Sequence, residues 1–401
     1  MSVWLMRLVS SRFKVLSSGI FCLILTMSIA RFSYTPMIPI MFEQAGLTKV
    51  LAGWLATINY VGYMLGALTA TLVGNLVVKD RIYRLGLLLA IMTTIMMGLS
   101  DNPWVWGVSR FVAGFSTAAG LLIGAGLMLN WLIRNHHRSE MGIHFSGIGL
   151  GIVLVALLLE YSKSVSWSAQ WLLLGFVGMG LAIPAWRWLP PPATSKLTEK
   201  GQLLDDKPPS KRFLGLMLLV YFCAGFGFVI SATYIVAIVE NQPALKGQGE
   251  IAFLVLGACA APACIIWDLI SRKTGILNAL LFAFLIHAVG IVLPALSDTL
   301  LFALLSAALY GFTFVGIVSI VLTMAGRFYP TKPAKLMGML TMSYGVPQIV
   351  APTIAGYLAA STGDYNASLF MASGCVLFGS AVIWLIKKWA IKDMALLNAT
   401  P

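Results

Sequence analysis

The sequence predicts an all-α membrane protein of twelve transmembrane helices, arranged as two pseudo-symmetric bundles of six. The 401 residues are 59% hydrophobic and only 10% charged, against about 25% charged residues in an average soluble protein. Apolar runs of about 20 residues, each long enough to cross a bilayer, recur along the whole length. One polar, proline-rich stretch divides these runs six and six, which predicts two bundles joined by a linker.

Hydropathy places the spans in order along the chain. They are predicted at 16–42, 51–77, 82–99, 104–132, 141–162, 168–188, 213–239, 250–269, 275–297, 299–326, 334–360 and 366–386. The polar stretch reads PPPATSKLTEKGQLLDDKPPSKR, and its proline and charge are typical of a loop. We therefore predict an N-terminal bundle at 1–189, a linker at 190–212 and a C-terminal bundle at 213–401.

The basic residues predict the orientation of the chain in the membrane. Of the 27 Lys and Arg, only Lys49, Lys163 and Lys246 fall in loops on the side opposite the termini. Because Lys and Arg are enriched in cytoplasmic loops, both termini and the linker are predicted to be cytoplasmic. The net charge of +13 is then a topology signal, so a nucleic-acid partner is not expected.

The sequence also argues against several chemical functions. It contains no GxxxxGK[ST] phosphate loop, no HExxH and no GxSxG motif. The five cysteines all fall inside predicted spans, without the spacing of a metal site or a place in an outer loop for a disulfide. We expect no enzymatic activity, no cofactor and no metal.

Two arginines lie inside predicted spans. At about 1.5 Å per residue, Arg31 lies roughly 15 Å from the end of span 1 on the side of the membrane opposite the termini. Arg110 lies roughly 9 Å from the end of span 4 on that same side. All 14 acidic residues lie at span ends or in loops. An arginine at such depth is costly and usually serves a ligand, a partner or a cavity. The alternative is that each arginine bonds backbone carbonyls or reaches a lipid head group.

The positive charge inside the spans favours an anionic substrate, since a guanidinium suits a carboxylate or phosphate. A deep amide or phenol also needs a partner. The predicted substrate-binding residues are Arg31, Tyr34, Asn59, Tyr63, Arg110, Tyr310, Tyr344 and Gln348. His144, which can titrate near neutral pH, and Glu160, the acidic residue that reaches furthest into a span, are candidates for proton coupling. Pro36, Pro39, Pro347 and Pro352 are predicted to break helices at gates.

The twelve spans, their division by a central linker, and Arg110-x-x-x-Gly114 in span 4 resemble the major facilitator superfamily (MFS). The span-4 RxxxG element belongs to antiporters of that superfamily, which implies a proton-coupling role for Arg110 and a gating role for Gly114. Two other signatures depart from the family pattern. Val78 stands where the loop between spans 2 and 3 should carry an aspartate, and span 5 has no Gly-Pro pair.

Several separated elements are more specifically similar to the YbfB/YjiJ-like branch of that superfamily. They are Arg31-Phe32-Ser33-Tyr34-Thr35-Pro36 with Pro39, Gly53-Trp54, Asn59-Tyr60-x-Gly62-Tyr63, His144-Phe145-x-Gly147-x-Gly149-x-Gly151, and Tyr344-Gly345 with Gln348 and Pro352. The resemblance implies a monomeric secondary transporter in a bacterial inner membrane, working by alternating access with lipid and a small-molecule substrate as its partners.

The expected function is proton-coupled export of a small organic anion, such as a metabolite or a siderophore-like chelator. Three alternatives stay open at the level of sequence. The protein could be a multidrug exporter of lipophilic compounds, an importer or anion exchanger, or a membrane sensor or scaffold that binds a ligand without moving it.

Overall fold

The computed structural model describes residues 3–139, 141–193, 195, 198–240, 245, 248–362 and 364–398. Two helical rods are built from three segments each: α1 from Val3–Leu23, Ile24–Phe32 and Tyr34–Gln44, and α4 from Pro103–Ala118, Ala119–Gly124 and Ala125–Arg134. The other helices are α2 Lys49–Leu72, α3 Leu76–Leu99, α5 Gly142–Tyr161, α6 Trp167–Arg187, α7 Lys211–Glu240, α8 Gly249–Thr274, α9 Ile276–Leu296, α10 Leu300–Phe328, α11 Ala334–Thr362, α12 Asn366–Trp389 and the short α13 Ile391–Asn398.

The predicted all-α membrane fold is confirmed. Within the described part of the chain, eleven helices are long and apolar enough to cross a membrane. The remaining predicted span corresponds to α11, a helix of 29 residues. The described residues between α6 and α7 are not helical, and they lie where the sequence predicts the linker. The division into domains and the orientation of the termini stay predictions.

Side-chain caps explain where several helices begin. Thr48, Asn75, Asn102 and Ser166 each accept a hydrogen bond from a backbone N–H in the first turn of the helix that follows. Such caps satisfy N–H groups that have no partner inside the helix. Between α8 and α9 the chain turns at Gly275, whose φ of +88° is a conformation that favours glycine.

The central segments of α1 and α4, Ile24–Phe32 and Ala119–Gly124, are π-helical. In α1 the N–H of Ser33 donates to the carbonyl of Ser28, five residues back, at 2.8 Å. Thr117 Oγ1 donates to the carbonyl of Thr26 at 2.8 Å, so the two rods touch near their π-helical segments. Segments of this kind widen a helix and are frequent at functional sites.

Glycines set the distance between the N-terminal half (α1–α6) and the C-terminal half (α7–α12). A Cβ placed on Gly149 of α5 would overlap the backbone at Ala261 of α8. On the other side of the molecule, a Cβ on Gly338 of α11 would lie 2.6 Å from the carbonyl oxygen of Ala67 in α2. Small residues permit such close helix crossings, and these crossings bring the two halves into close contact.

The halves are joined at the end of the bundle that carries the linker, here called the linker end. Asp268 of α8 accepts a hydrogen bond from the N–H of Gly142, the first residue of α5, at 2.5 Å. The side-chain amide of Asn130 in α4 donates to the carbonyl of Pro330 at 2.7 Å. At the opposite end, here called the far end, a cleft of about 400 Å³ lies between α1, α5, α7 and α8.

Removing the Asp268 carboxylate is expected to loosen the linker end. A side-chain cap on a helix N-terminus contributes about 1 kcal/mol, so Asp268→Ala should shift the closed–open equilibrium about five-fold toward opening. Spin labels at the exposed positions Arg81 and Lys335, in a background free of native cysteines, would report a longer mean distance. Asp298→Ala, an exposed carboxylate near the far end, serves as the control and should leave the distance distribution unchanged.

Candidate functional site

Arg31 lies at the end of the π-helical segment of α1, between the two halves, and is only 6% exposed. Its Nη2 donates to Oε1 of Gln348 on α11 at 3.3 Å. The guanidinium also lies over the rings of Tyr63 and Tyr60 on α2, 4.4 and 4.9 Å from their centroids. Among the described residues no carboxylate forms an ion pair with it. Its charge is therefore held by aromatic faces and one amide oxygen.

Arg110 is buried as deeply, but its guanidinium donates to backbone carbonyls of α1. Its Nη1 donates to the carbonyl of Ala30 at 3.0 Å, and its Nη2 lies 3.4 Å from the carbonyl of Arg31. The ring of Tyr34 lies 4.4 Å from the guanidinium. Because Pro36 has no backbone N–H, it cannot donate a hydrogen bond to a carbonyl of the preceding turn. Arg110 supplies side-chain donors to carbonyls in that region of α1. Arg110 thus fixes the backbone that carries Arg31.

Asn59 and Gly114 hold α2 against α4 directly beside this pair. The Asn59 side-chain amide donates to the carbonyl of Arg110 at 2.8 Å. A Cβ on Gly114 would overlap the carbonyl oxygen of Asn59, and one on Gly62 would overlap that of Phe111. The predicted site residues Arg31, Arg110 and Asn59 are therefore linked through the backbone of α1 and α4. Tyr34 completes this side by donating from its hydroxyl to the carbonyl of Ala52 at 3.1 Å.

The C-terminal half faces Arg31 with aromatic rings. Tyr344 stacks on Tyr221 with centroids 4.6 Å apart, and Phe228 lies 5.5 Å from Tyr344. Tyr310 stacks on Phe314 at 5.2 Å, and its hydroxyl donates to the carbonyl of Phe228 at 2.8 Å. Tyr310 is thus bonded within its own half, whereas Tyr344 reaches the boundary between the halves.

A small cavity marks this boundary. It measures about 20 Å³, and its lining includes Arg31 and Tyr63 from one half and Tyr344 and Gln348 from the other. Nε2 of Gln348 is buried without a hydrogen-bond partner among the described residues. The space is about that of a single water molecule, so this cavity is too small for an organic molecule.

The two other proton-coupling candidates lie apart from this cavity. His144 is fully buried near the start of α5, beside Gly19 of α1 and Met128 of α4, and neither ring nitrogen has a partner among the described residues. Glu160 is exposed at the far end, where it pairs with Lys163 at 2.5 Å and raises the pKa of that lysine. Lys163 also approaches Glu250 of the C-terminal half at 3.3 Å.

The predicted helix-breaking prolines occupy different surroundings. Pro36 and Pro39 line the far-end cleft. Pro347 is buried on α11, and its Cγ would lie 3.0 Å from a Cβ placed on Gly225 of α7. Pro352 lies within α11, but its side chain is outside the described residues.

Replacing Arg110 with methionine is expected to destabilise the fold. The substitution leaves the carbonyls of Ala30 and Arg31 without their side-chain donors in an apolar interior, where one unsatisfied group costs about 1–3 kcal/mol. We expect a loss of at least about 2 kcal/mol, measured as a lower melting temperature in detergent. Arg31→Met is the matched comparison, because its guanidinium has no backbone acceptor among the described residues. Equal losses in the two variants would contradict the bracing role of Arg110.

Sequence reasoning left several neighbours of Arg31 out of the predicted set. Tyr60 could have been included, since it precedes Tyr63 by three residues and shares a helix face with it. Tyr221, Phe228 and Phe314 come from helices α7 and α10, and no spacing distinguishes them from ordinary packing residues. The π-helical segments of α1 and α4 also leave no readable pattern in the sequence.

A family model described as "Uncharacterised MFS-type transporter YbfB" matches residues 23–385. The crystal structure of the nucleoside transporter NupG superposes with a TM-score of 0.64 at 14% identity, covering 94% of this chain and 98% of that one. At this identity the similarity demonstrates the fold alone.

Three curated proteins are similar in sequence. "Uncharacterized transporter mfc1" of Schizosaccharomyces pombe is 30% identical over 151 residues, which is 37% of this chain and 30% of that protein. An "Uncharacterized transporter" of Rickettsia felis is 22% identical, with 60% of this chain and 61% of that protein covered. The match thus spans less than two thirds of either relative. "Probable sulfoacetate transporter SauU" of Cupriavidus necator is 23% identical, with 90% of both chains covered.

Proposed function

This chain belongs to the YbfB-type family of major facilitator superfamily transporters, and we propose that it carries a small organic anion across the membrane by alternating access, with Arg31 as the anion-binding group. The fold and the family are those of transporters, not of enzymes. The single observation that carries the proposal is the buried guanidinium of Arg31 between the halves, without a carboxylate partner among the described residues.

The electrostatics of this position favour an anion. Removing a charge from water costs several kcal/mol unless a partner compensates for it. The rings of Tyr60 and Tyr63 offer a cation only partial compensation, on the order of 1–2 kcal/mol each. An entering carboxylate or sulfonate would gain charge-assisted hydrogen bonds from Arg31, whose guanidinium has the geometry for bidentate contact. The unpartnered Nε2 of Gln348 supplies a further donor from the other half.

The similarity to a probable sulfoacetate transporter supports a substrate of this size and charge. Sulfoacetate carries a sulfonate and a carboxylate on a two-carbon frame. Because Arg31 belongs to α1 and Gln348 to α11, a ligand with two polar ends would touch both halves. Contact with both halves is what couples substrate binding to their movement.

We further propose that the protein is a monomer in a bacterial inner membrane, with both termini cytoplasmic, and that it works as a proton-coupled exporter. The excess of basic residues on the linker side supports this orientation. His144 and Arg110 are the proposed coupling residues, since His144 is a buried imidazole with no partner among the described residues. Acidifying the outside of right-side-out proteoliposomes should accelerate anion efflux. Rates of efflux and uptake that do not change with the pH gradient would exclude proton coupling.

A ligand screen by thermal shift tests the proposed function. Purified protein in detergent would be melted with short sulfonates and carboxylates, with chelators, and with lipophilic cations. A ligand that binds only the folded form increases the free energy of unfolding by about 2.7 kcal/mol at a hundred-fold excess over its Kd. The melting temperature rises accordingly. Stabilisation by anions is the expected result. Stabilisation by lipophilic cations alone would replace the anion proposal with the multidrug-exporter alternative.

A further inference from the structure

A large cavity lies at the linker end, and neither Arg31 nor any other residue of the proposed anion site lines it. It measures about 960 Å³ and is bounded by α8, α9, α10 and α12 of the C-terminal half, by the short helix α13, and by the segment that precedes α5. This volume is within the range of small-ligand sites, about 300–1,000 Å³. No part of the proposed anion-transport cycle uses it.

The charge of the lining is strongly positive. Arg138, Arg272, Arg327 and Lys387 contribute four cationic groups, against the single carboxylate of Asp268. These four groups come from three separate helices and one loop, so no single basic segment accounts for the cluster. An excess of guanidinium and ammonium groups around a cavity favours a multiply charged oxyanion, and guanidinium matches phosphate geometry.

A polar side chain also points to a ligand. Thr323 of α10 lines the cavity and is 8% exposed, and its Oγ1 has no hydrogen-bond partner among the described residues. The Oγ of Ser271 in α8 is also buried without a hydrogen-bond partner among the described residues. Buried hydroxyls are normally satisfied, and a phosphate oxygen in the cavity would accept from both.

The short helix α13 closes one side of this space and is anchored to the chain before α7. Asp393 accepts hydrogen bonds from the N–H of Ser210 at 2.6 Å and from its Oγ at 2.9 Å. Ala390, Ile391 and Met394 then present an apolar wall to the cavity. A site with basic groups on one side and apolar groups on the other suits a phosphate that is attached to a hydrophobic chain.

We propose that this cavity, the basic pocket, binds a phosphate group, carried either by an anionic phospholipid or by a soluble phosphate compound. The pocket includes Arg138 of the N-terminal half as well as the C-terminal cations, and Asp268 on its wall is the group that caps α5. A bound phosphate therefore contacts both halves where they are joined. It stabilises the closed linker end and favours that state of the transport cycle. This inference does not depend on the identity of the transported substrate.

The experiment compares two doubly substituted proteins that lose the same charge. Arg272→Gln with Lys387→Gln removes two cations from the basic pocket, whereas Lys273→Gln with Lys392→Gln removes two exposed cations that do not line it. Each protein would be placed in nanodiscs of phosphatidylcholine, with or without phosphatidylglycerol, and melted. The phosphatidylcholine discs would also be titrated with inorganic phosphate and with glycerol 3-phosphate.

We expect phosphatidylglycerol or the soluble phosphates to stabilise the wild type and the control variant. The pocket variant should bind roughly 25-fold more weakly, since each basic group near an anionic head group contributes about five-fold. A response to phosphatidylglycerol alone identifies a lipid ligand, and a response to the soluble probes identifies a metabolite-type ligand. Equally weak phosphate binding by the pocket variant and the control variant would mean general attraction to surface charge and would overturn the proposal. A wild type that none of the phosphate probes stabilises would overturn it as well.

Discussion

Replacing Arg31 with methionine is expected to abolish anion binding and transport while leaving the ligand-free protein at least as stable as the wild type. In the structure the guanidinium is 6% exposed, and it donates a hydrogen bond to Gln348 at 3.3 Å. A buried charge without an ionic partner carries a desolvation penalty of several kcal/mol, and an apolar side chain of similar volume removes that penalty. The combination of retained stability and lost function is what distinguishes a binding group from a structural one.

The effect on the substrate should be large. Truncating one partner of a buried, hydrogen-bonded charge pair costs about 2–5 kcal/mol, which is a loss in affinity of at least about 30-fold. The measurement is the anion-dependent rise in melting temperature, followed by uptake into proteoliposomes. Arg31→Lys keeps the charge but loses the planar fork, so it should bind anions more weakly than the wild type and more tightly than Arg31→Met. Full anion binding by Arg31→Met would remove this residue from the site.

A single methyl group on Gly114 is expected to destabilise the protein strongly. The added Cβ would overlap the carbonyl oxygen of Asn59 and lie 2.8 Å from the N of Tyr63. Both are backbone atoms, so no side-chain rotation can relieve the contact and α2 must move away from α4. Overpacking typically costs about 1–3 kcal/mol, and we expect Gly114→Ala to reach the upper end of that range.

The same movement should reach the site, because it stretches the bond from the Asn59 amide to the Arg110 carbonyl. We therefore expect Gly114→Ala to lower both the melting temperature in detergent and the affinity for anions. Gly180→Ala in α6 is the control, since a Cβ there has no neighbour within 4 Å. Alanine is also the better helix former by about 1 kcal/mol, so this variant should be at least as stable as the wild type. A stable Gly114→Ala would mean that α2 and α4 cross more loosely than described.

The sequence predicts the helices well because the bilayer imposes a simple rule on them. Every backbone polar group in lipid must be bonded internally, so apolar runs of sufficient length become helices. The same rule makes Arg31 conspicuous, since a charge at that depth requires a reason. Hydropathy therefore locates both the spans and the most unusual residue inside them.

Tertiary contacts explain what the sequence does not reveal. Arg31 and Arg110 look alike in the sequence, yet one faces the boundary between the halves and the other braces carbonyls of α1. This difference depends on the π-helical segment and on how α4 meets α1, and neither leaves a local pattern. Asp268 likewise reads as an ordinary acid at a span end, and only the fold brings it to the N-terminus of α5.

Counterflow in proteoliposomes tests the central claim most directly. Vesicles containing the protein and a high concentration of unlabelled sulfoacetate would be diluted into a trace of the labelled compound, with Arg31→Met vesicles run in parallel. We expect labelled anion to accumulate transiently in the wild-type vesicles and to stay at background in the variant. Two results would contradict an anion transporter centred on Arg31. One is that the vesicles accumulate lipophilic cations but no small sulfonate or carboxylate. The other is that the Arg31→Met vesicles accumulate the labelled anion as well as the wild type does.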